Sequence, residues 1–125
     1  MLVWTREGFK EQQKAVGKNS MDRLYGMRWI QNEVTRIRYH LENHFDIKNK
    51  SILVIGSQLP WIESLLLYLD AEHVTTLEYN PYKTNHPKVT CITPMEYSKL
   101  ILSNKAPIFD AMITFSSVEH SGLGR

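Results

Sequence analysis

The order of the apolar runs after residue 50 constrains this chain more than any other feature. Ser51-Ile52-Leu53-Val54-Ile55 is short, rich in β-branched residues and without polar alternation, and Gly56 ends it. Such a run predicts a strand buried on both faces, the situation of a parallel sheet. Pro60 suits the first turn of a helix, where its missing N–H costs nothing. Ile62, Leu65, Leu66 and Leu69 then supply a wide apolar face. Val74-Thr75-Thr76-Leu77-Glu78 reads as a second strand closed by Asn80-Pro81, and Lys88-Val89-Thr90-Cys91-Ile92 reads as a third. Thr93 and Glu96 form a T-x-x-E capping box with Pro94 at the first helical position, predicting a helix through Leu100, Ile101 and Leu102 to Asn104. Ile108–Phe115 is a fourth strand, ahead of a polar loop that carries glycine. The order β-α-β-loop-β-α-β predicts an α/β fold, with a parallel sheet, right-handed crossovers and helices on its faces.

The first fifty residues have a different character. Residues 1–19 are polar and weakly periodic, punctuated by Gly8, Gly17 and Asn19, and read as an arm with room for one short helix. Ser20 is a candidate N-cap, with Asp22 in the first turn where the helix dipole favours an anion. Leu24, Met27, Ile30, Val34, Ile37, Leu41 and Phe45 recur at spacings of three and four. That stripe predicts a single long helix over residues 20–45, packed on the sheet. The domain reading is an arm over 1–19 and one domain over 20–125, whose sheet portion is 51–125.

Composition removes several classes of function. No apolar run reaches the roughly 18–20 residues of a membrane span. Arg6, Glu7 and Lys10 interrupt any signal-peptide core at the start of the chain, which favours a cytoplasmic location. A single cysteine, Cys91, excludes an internal disulfide framework and a multi-cysteine zinc site. Residues 1–50 carry ten Lys/Arg against six Asp/Glu, and residues 51–125 carry five against seven. The net charge is only +2 and no block of five like charges occurs, so a solvated basic helix face is expected and no nucleic-acid partner.

Ligands of parallel α/β sheets sit beyond the carboxyl ends of the strands. Chemistry is therefore expected at Gly56–Pro60, Glu78–Asn80, Ile92–Glu96 and Ser116–Gly124. Gly56 permits a tight turn, and the helix that follows offers unpaired N–H groups. Glu78, 22 residues further on, has the spacing of an acid that accepts hydrogen bonds from a ribose. A turn glycine and a solvated strand-end acid would each look the same alone; together in one βαβ unit they point to a nucleoside. Ser57, Gln58, Leu59, Pro60 and Trp61 follow Gly56, so the glycines of a G-x-G-x-x-G pyrophosphate loop are missing. S-adenosylmethionine, which has no pyrophosphate, is a better chemical fit than NAD or FAD. Glu119 and His120 are adjacent and lack a third ligand, so no metal site is expected there. Ser116 and Ser117 follow a strand without the G-x-S-x-G elbow, which leaves a serine hydrolase a distant third reading.

The stretch ILVIGSQLPWIESLLLYLDAEHVTTLEYNP resembles the first half of a class I S-adenosylmethionine-dependent methyltransferase, and FDAMITFSSVEHSGLGR resembles the fourth strand of that fold. More narrowly, VIGSQLPWIE and SSVEHSGLGR are similar to an uncharacterised Caenorhabditis-type family of unknown function. Together the resemblances span roughly residues 20–125. They imply a Rossmann-like, class I methyltransferase-like sheet in which Gly56 and Ser57 lie beside the methionine moiety of the cofactor. Glu78 would accept from its ribose and Tyr79 would neighbour the adenine. Ser116, Ser117, Glu119 and His120 would face the methyl group and its acceptor, with His120 or Glu119 as the base. The acceptor, a small molecule or a protein, is not identified. Two departures from the pattern stand out: the loop keeps one glycine, and Ile92-Thr93-Pro94-Met95 holds no acid after the third strand. They favour the alternative reading, a non-catalytic interaction domain that keeps the fold without the cofactor.

The resembling fold has seven strands, and four are legible here. The expectation is accordingly a fragment truncated after the fourth strand and inactive as such. That strand would form an apolar edge through which the chain self-associates.

Overall fold

Strand β1 (Ser51–Ile55) lies inside a four-stranded sheet, paired in parallel with β2 (His73–Leu77) on one side and β4 (Ala111–Thr114) on the other. Strand β3 (Val89–Ile92) pairs in parallel with β2, giving the order β3-β2-β1-β4. The chain's structure, a computed structural model, describes residues 4–56, 59–80 and 82–114. Ile52, Leu53 and Val54 are all buried, as a strand covered on both faces requires. In the parallel register Ile52 stands beside Val74 and Ala111, and Val54 beside Thr76 and Ile113. These residues share one face, because side chains alternate along a strand.

Helix α4 (Trp61–Tyr68) makes the crossover from β1 to β2, and α5 (Pro94–Leu102) the crossover from β3 back to β4. Right-handed crossovers running in opposite directions place these two helices on opposite faces of the sheet. Every residue of α4 from Trp61 to Leu67 is buried. A helix apolar all round has to be covered on its outer side as well. That cover comes from α1 (Arg6–Gly17), α2 (Met21–Tyr25) and α3 (Arg28–His44), giving a sheet, a buried helix and an outer helical layer.

This outer layer differs from the expectation in two respects. The described part of residues 1–19 is not a solvated arm: Trp4, Phe9, Ala15 and Val16 are buried in the common core. Three buried positions in a polar helix, with Trp4 just ahead of it, suffice, which is why the pattern was too sparse to show as periodicity. At the end of α1, an added Cβ on Gly17 would lie 3.1 Å from the Tyr68 ring of α4. Arg38 of α3 covers that same ring at 4.9 Å and donates to the Val16 carbonyl.

The single helix expected over 20–45 is two helices. Gly26 takes a left-handed conformation (φ 72°) and ends α2, and α3 starts afresh at Arg28. Glycine meets no steric penalty there, whereas a continuous stripe says nothing about one such residue within it. Ile30 and Val34 are buried as the stripe requires, but Leu24 and Phe45 at its ends are exposed. Ser20 does occupy the N-cap position of α2, without a side-chain capping bond.

Smaller shifts concern boundaries. Pro60 is the N-cap of α4, one residue before the expected first turn. Strand β2 closes at Leu77, so Glu78 is the first residue past it. Strand β4 is shorter than Ile108–Phe115; Ile108 lies outside it and is 91% exposed, while Phe115 is outside the described residues. The capping box of α5 is as expected, with Thr93 Oγ1 accepting from Glu96 N–H at 3.2 Å and Glu96 Oε1 accepting from Thr93 N–H at 2.9 Å. Asn104, just past α5, is left-handed (φ 58°), an asparagine serving where glycine often ends a helix. No described helix is long and apolar enough to cross a membrane.

Two substitutions test this layering by urea unfolding. Ile62→Ala, within the fully buried α4, should cost about 2–5 kcal/mol. Thr93→Ala, which removes one half of an exposed capping box, should cost about 1 kcal/mol. A smaller loss at Ile62 than at Thr93 would contradict the burial of α4 between two layers.

Candidate functional site

Gly56 and Glu78 meet at the carboxyl edge of the sheet. Ile55 is in register with Leu77, and Gly56 and Glu78 are the first residues past these two strands. The Gly56 N–H donates to the Leu77 carbonyl at 3.2 Å, and the Glu78 N–H donates to the Ile92 carbonyl of β3 at 3.0 Å. Gly56 has φ 81°, a left-handed turn that a side chain would strain, so the glycine is demanded by the backbone itself. Two residues 22 apart in sequence are thus neighbours at the ends of adjacent strands.

Glu78 is half-buried, and its Oε1 accepts from the Tyr79 N–H at 3.0 Å, which fixes the carboxylate at the strand end. Tyr79 is 84% exposed, leaving its ring available as a flat surface. The segment that continues from this pair is tied down by the N-terminal residues. Trp4 stacks on Tyr82 with ring centroids 5.0 Å apart, and its N–H donates to the Lys83 carbonyl at 3.0 Å. The Arg6 N–H donates to Asn85 Oδ1 at 2.7 Å, and Phe9 meets His86 edge to face at 5.4 Å. A segment read from sequence as a polar arm therefore anchors the segment after β2.

His86 completes that anchorage. Its Nδ1 accepts from the Lys88 N–H at 3.0 Å, which requires this nitrogen to be unprotonated. Burial lowers its pKa first, and the positive charges of Arg6 and Lys88, then His73 and Lys10, lower it further.

The sequence reading passed over one buried polar residue. Glu63, in the first turn of α4, is fully buried and accepts from Thr76 Oγ1 of β2 at 2.6 Å. Burial first, and then the negative charge of Glu63, raise the pKa of the Tyr25 phenol and push the Cys91 thiol up to about 12. Gln12 Oε1 accepts from Tyr25 at 2.6 Å and lies 2.7 Å from Ser64 Oγ, joining α1, α2 and α4 in one polar core network. Trp61, the first residue of α4, meets Trp29 of α3 edge to face at 6.0 Å. The available signal for Glu63 was a lone acid inside the apolar run WIESLLLY. An acid at that place in a buried helix has to find a partner.

Of the remaining candidates, Ser57, Ser116, Ser117, Glu119 and His120 lie outside the described residues. Among the described residues, no group of three or more His, Cys, Asp and Glu side chains is placed to hold a metal ion.

A parallel sheet of order β3-β2-β1-β4, with a glycine turn after β1 and an acid just past β2, defines a Rossmann-like α/β domain. The chain belongs to the family described as Caenorhabditis protein of unknown function, DUF268, which matches residues 49–125. No curated protein matches the sequence. Two solved structures share the fold. A candidate hemolysin from Lactococcus lactis superposes with a TM-score of 0.53 and 15% identity, over 68% of this chain and 44% of that one. HcgC from Methanococcus maripaludis, crystallised with SAH and pyridinol, superposes with a TM-score of 0.52 and 19% identity, over 86% of this chain and 36% of that one. The chain thus spans less than half the length of either.

Because the folded state lowers the pKa of His86 from its ordinary 6.5, the neutral ring contributes stability that is complete above that value. This contribution is lost as pH falls through the folded-state pKa. Amide exchange of residues 82–88, corrected for intrinsic pH effects, should therefore quicken between pH 7.5 and pH 5. His86→Asn should remove the difference. Equal protection at the two pH values in the unmodified chain would overturn this account.

Proposed function

We propose that this chain is the cofactor-binding part of an S-adenosylmethionine-dependent methyltransferase-like domain. The adjacency of the Gly56 turn and Glu78 at the ends of β1 and β2 carries the reading. The described residues fit such a group: a left-handed glycine lets backbone approach closely, a half-buried carboxylate accepts from vicinal hydroxyls, and an exposed tyrosine ring offers a stacking face. The likeness to HcgC, which was crystallised with SAH, supports it as a property of a shared fold. In this reading Gly56 and Ser57 border the methionine moiety, Glu78 holds the ribose and Tyr79 the adenine. Ser116 and Ser117 line the cofactor, and His120 or Glu119 takes the proton from the acceptor.

S-adenosylmethionine when bound supplies a methyl group already activated on a sulfonium. The protein's task is then alignment and, for an O–H or N–H acceptor, removal of one proton. The acceptor is a small molecule or a protein of a kind that the site does not specify.

One observation favours a second reading, an interaction domain without the cofactor. Glu96 is the nearest acid after β3, and its carboxylate is committed to the capping box with Thr93. The end of β3 is thereby left without an acid for the nucleoside.

Isothermal titration of the folded chain with S-adenosylmethionine and S-adenosylhomocysteine tests the first reading. Binding is expected, and Glu78→Ala should weaken it by about 1–3 kcal/mol, the cost of unpaired buried polar groups. No heat at millimolar ligand would sink the cofactor assignment and leave the interaction domain.

The outer edge of β4 is unpaired among the described residues, and Met112 on it is 61% exposed. We propose that this edge makes the isolated chain self-associate. Light scattering should show a mass rising with concentration, reduced by Met112→Lys. A monodisperse monomer at all concentrations would contradict it.

A further inference from the structure

We infer that His40 and His44 form a two-ligand chelate for a divalent first-row transition metal at the carboxyl end of α3. The two residues are four apart on one helix, so they stand on the same face, separated by about 6 Å of helical rise. Their ring centroids are 5.8 Å apart and their planes are inclined by 32°. Metal–nitrogen bonds of about 2.0–2.1 Å place two imidazoles on one ion with centroids roughly 4.5–5 Å apart. A side-chain rotation that closes the gap by about 1 Å completes the chelate, with no demand on the backbone.

Three further features favour this pair. Both residues are exposed, and among the described residues neither ring has a hydrogen-bond partner. The other described histidines are engaged: His73 with Thr90 Oγ1 at 2.8 Å, and His86 through its Nδ1. The pair also occupies the last two turns of α3, where the unpaired carbonyls of the helix favour a cation.

The surroundings define the chemical class. Glu42 lies between the two histidines in sequence but points away from their face, where it pairs with Arg38 at 3.4 Å. Asn43 is likewise committed, donating to the Tyr39 carbonyl at 2.7 Å. Asp46, two residues past His44, is engaged as well, its Oδ1 accepting from the Lys48 N–H at 3.0 Å, and two imidazoles as the ligands suit Ni²⁺, Cu²⁺ or Zn²⁺ and not the oxygen-seeking Mg²⁺ or Ca²⁺. The Cys91 thiol, pushed up to about 12, is protonated at neutral pH and does not compete for the ion.

The test uses the untagged full chain with NiCl₂ or ZnCl₂, read by calorimetry and thermal melting at pH 7.5. One ion per chain should bind and raise the Tm, whereas MgCl₂ should do neither. His44→Ala should weaken binding about tenfold or more and abolish the shift. His40→Asn, a second exposed substitution, should do the same and guards against one variant failing to fold. A control with Glu42→His and His44→Asn together keeps five histidines but turns the pair to different sides of the helix, and it should not restore binding. Absence of binding by the unmodified chain, or equal binding by the relocated pair, would overturn the chelate. Neither result bears on S-adenosylmethionine, whose proposed residues are separate.

Discussion

Burial of α4 on every side is the constraint from which most of this structure follows. A helix in which Trp61 to Leu67 are all out of water needs a sheet beneath it and a second layer above it. The sheet is supplied by β1 and β2, which α4 itself connects. The second layer is supplied by α1, α2 and α3, held to α4 through Gln12, Tyr25 and Ser64 and through the contact of Gly17 with Tyr68. Apolar area leaving water is the driving term, at about 25 cal/mol per Å². The polar network fixes how α1 and α2 sit on α4, because each unpaired buried group would cost about 1–3 kcal/mol.

The same packing shapes the candidate site. Glu63 is carried into the interior by α4 and is held there by Thr76 of β2. The outer layer reaches the other half of the site from the opposite direction. Trp4, Arg6 and Phe9 bond or stack onto Tyr82, Lys83, Asn85 and His86, the segment that continues from Glu78 and Tyr79. Each half of the carboxyl edge is therefore braced from elsewhere in the chain. Preorganisation of this kind keeps binding groups in place without spending ligand affinity on ordering them.

Membership in the DUF268 family and the likeness to two solved structures agree on architecture and leave the chemistry to the site. A fold of this kind hosts many activities, so the residues at the strand ends carry the functional argument. The paired chelate on α3 belongs to the outer layer alone, remote in sequence from both Gly56 and Glu78.

Much of this was legible from the residues. Strand order and the parallel sheet could be read because a β-branched run buried on both faces has no other common home, as Ile52, Leu53 and Val54 show. The Thr93–Glu96 box was equally visible, since it rests on a short, fixed spacing, and the step from Gly56 to Glu78 marked the ends of two adjacent strands of one βαβ unit. What the residues could not display was anything decided by contact at long range. The role of residues 4–17 rests on four buried side chains whose partners are up to 80 positions away, as with the bridge between Trp4 and Thr84. The break at Gly26 depends on one backbone angle, and the importance of Glu63 on a threonine 13 residues further on. Local spacing determined the elements of this protein and the ends at which its chemistry is expected. Only tertiary packing decided that its first helix belongs to the core, because burial is a property of neighbours and not of sequence position.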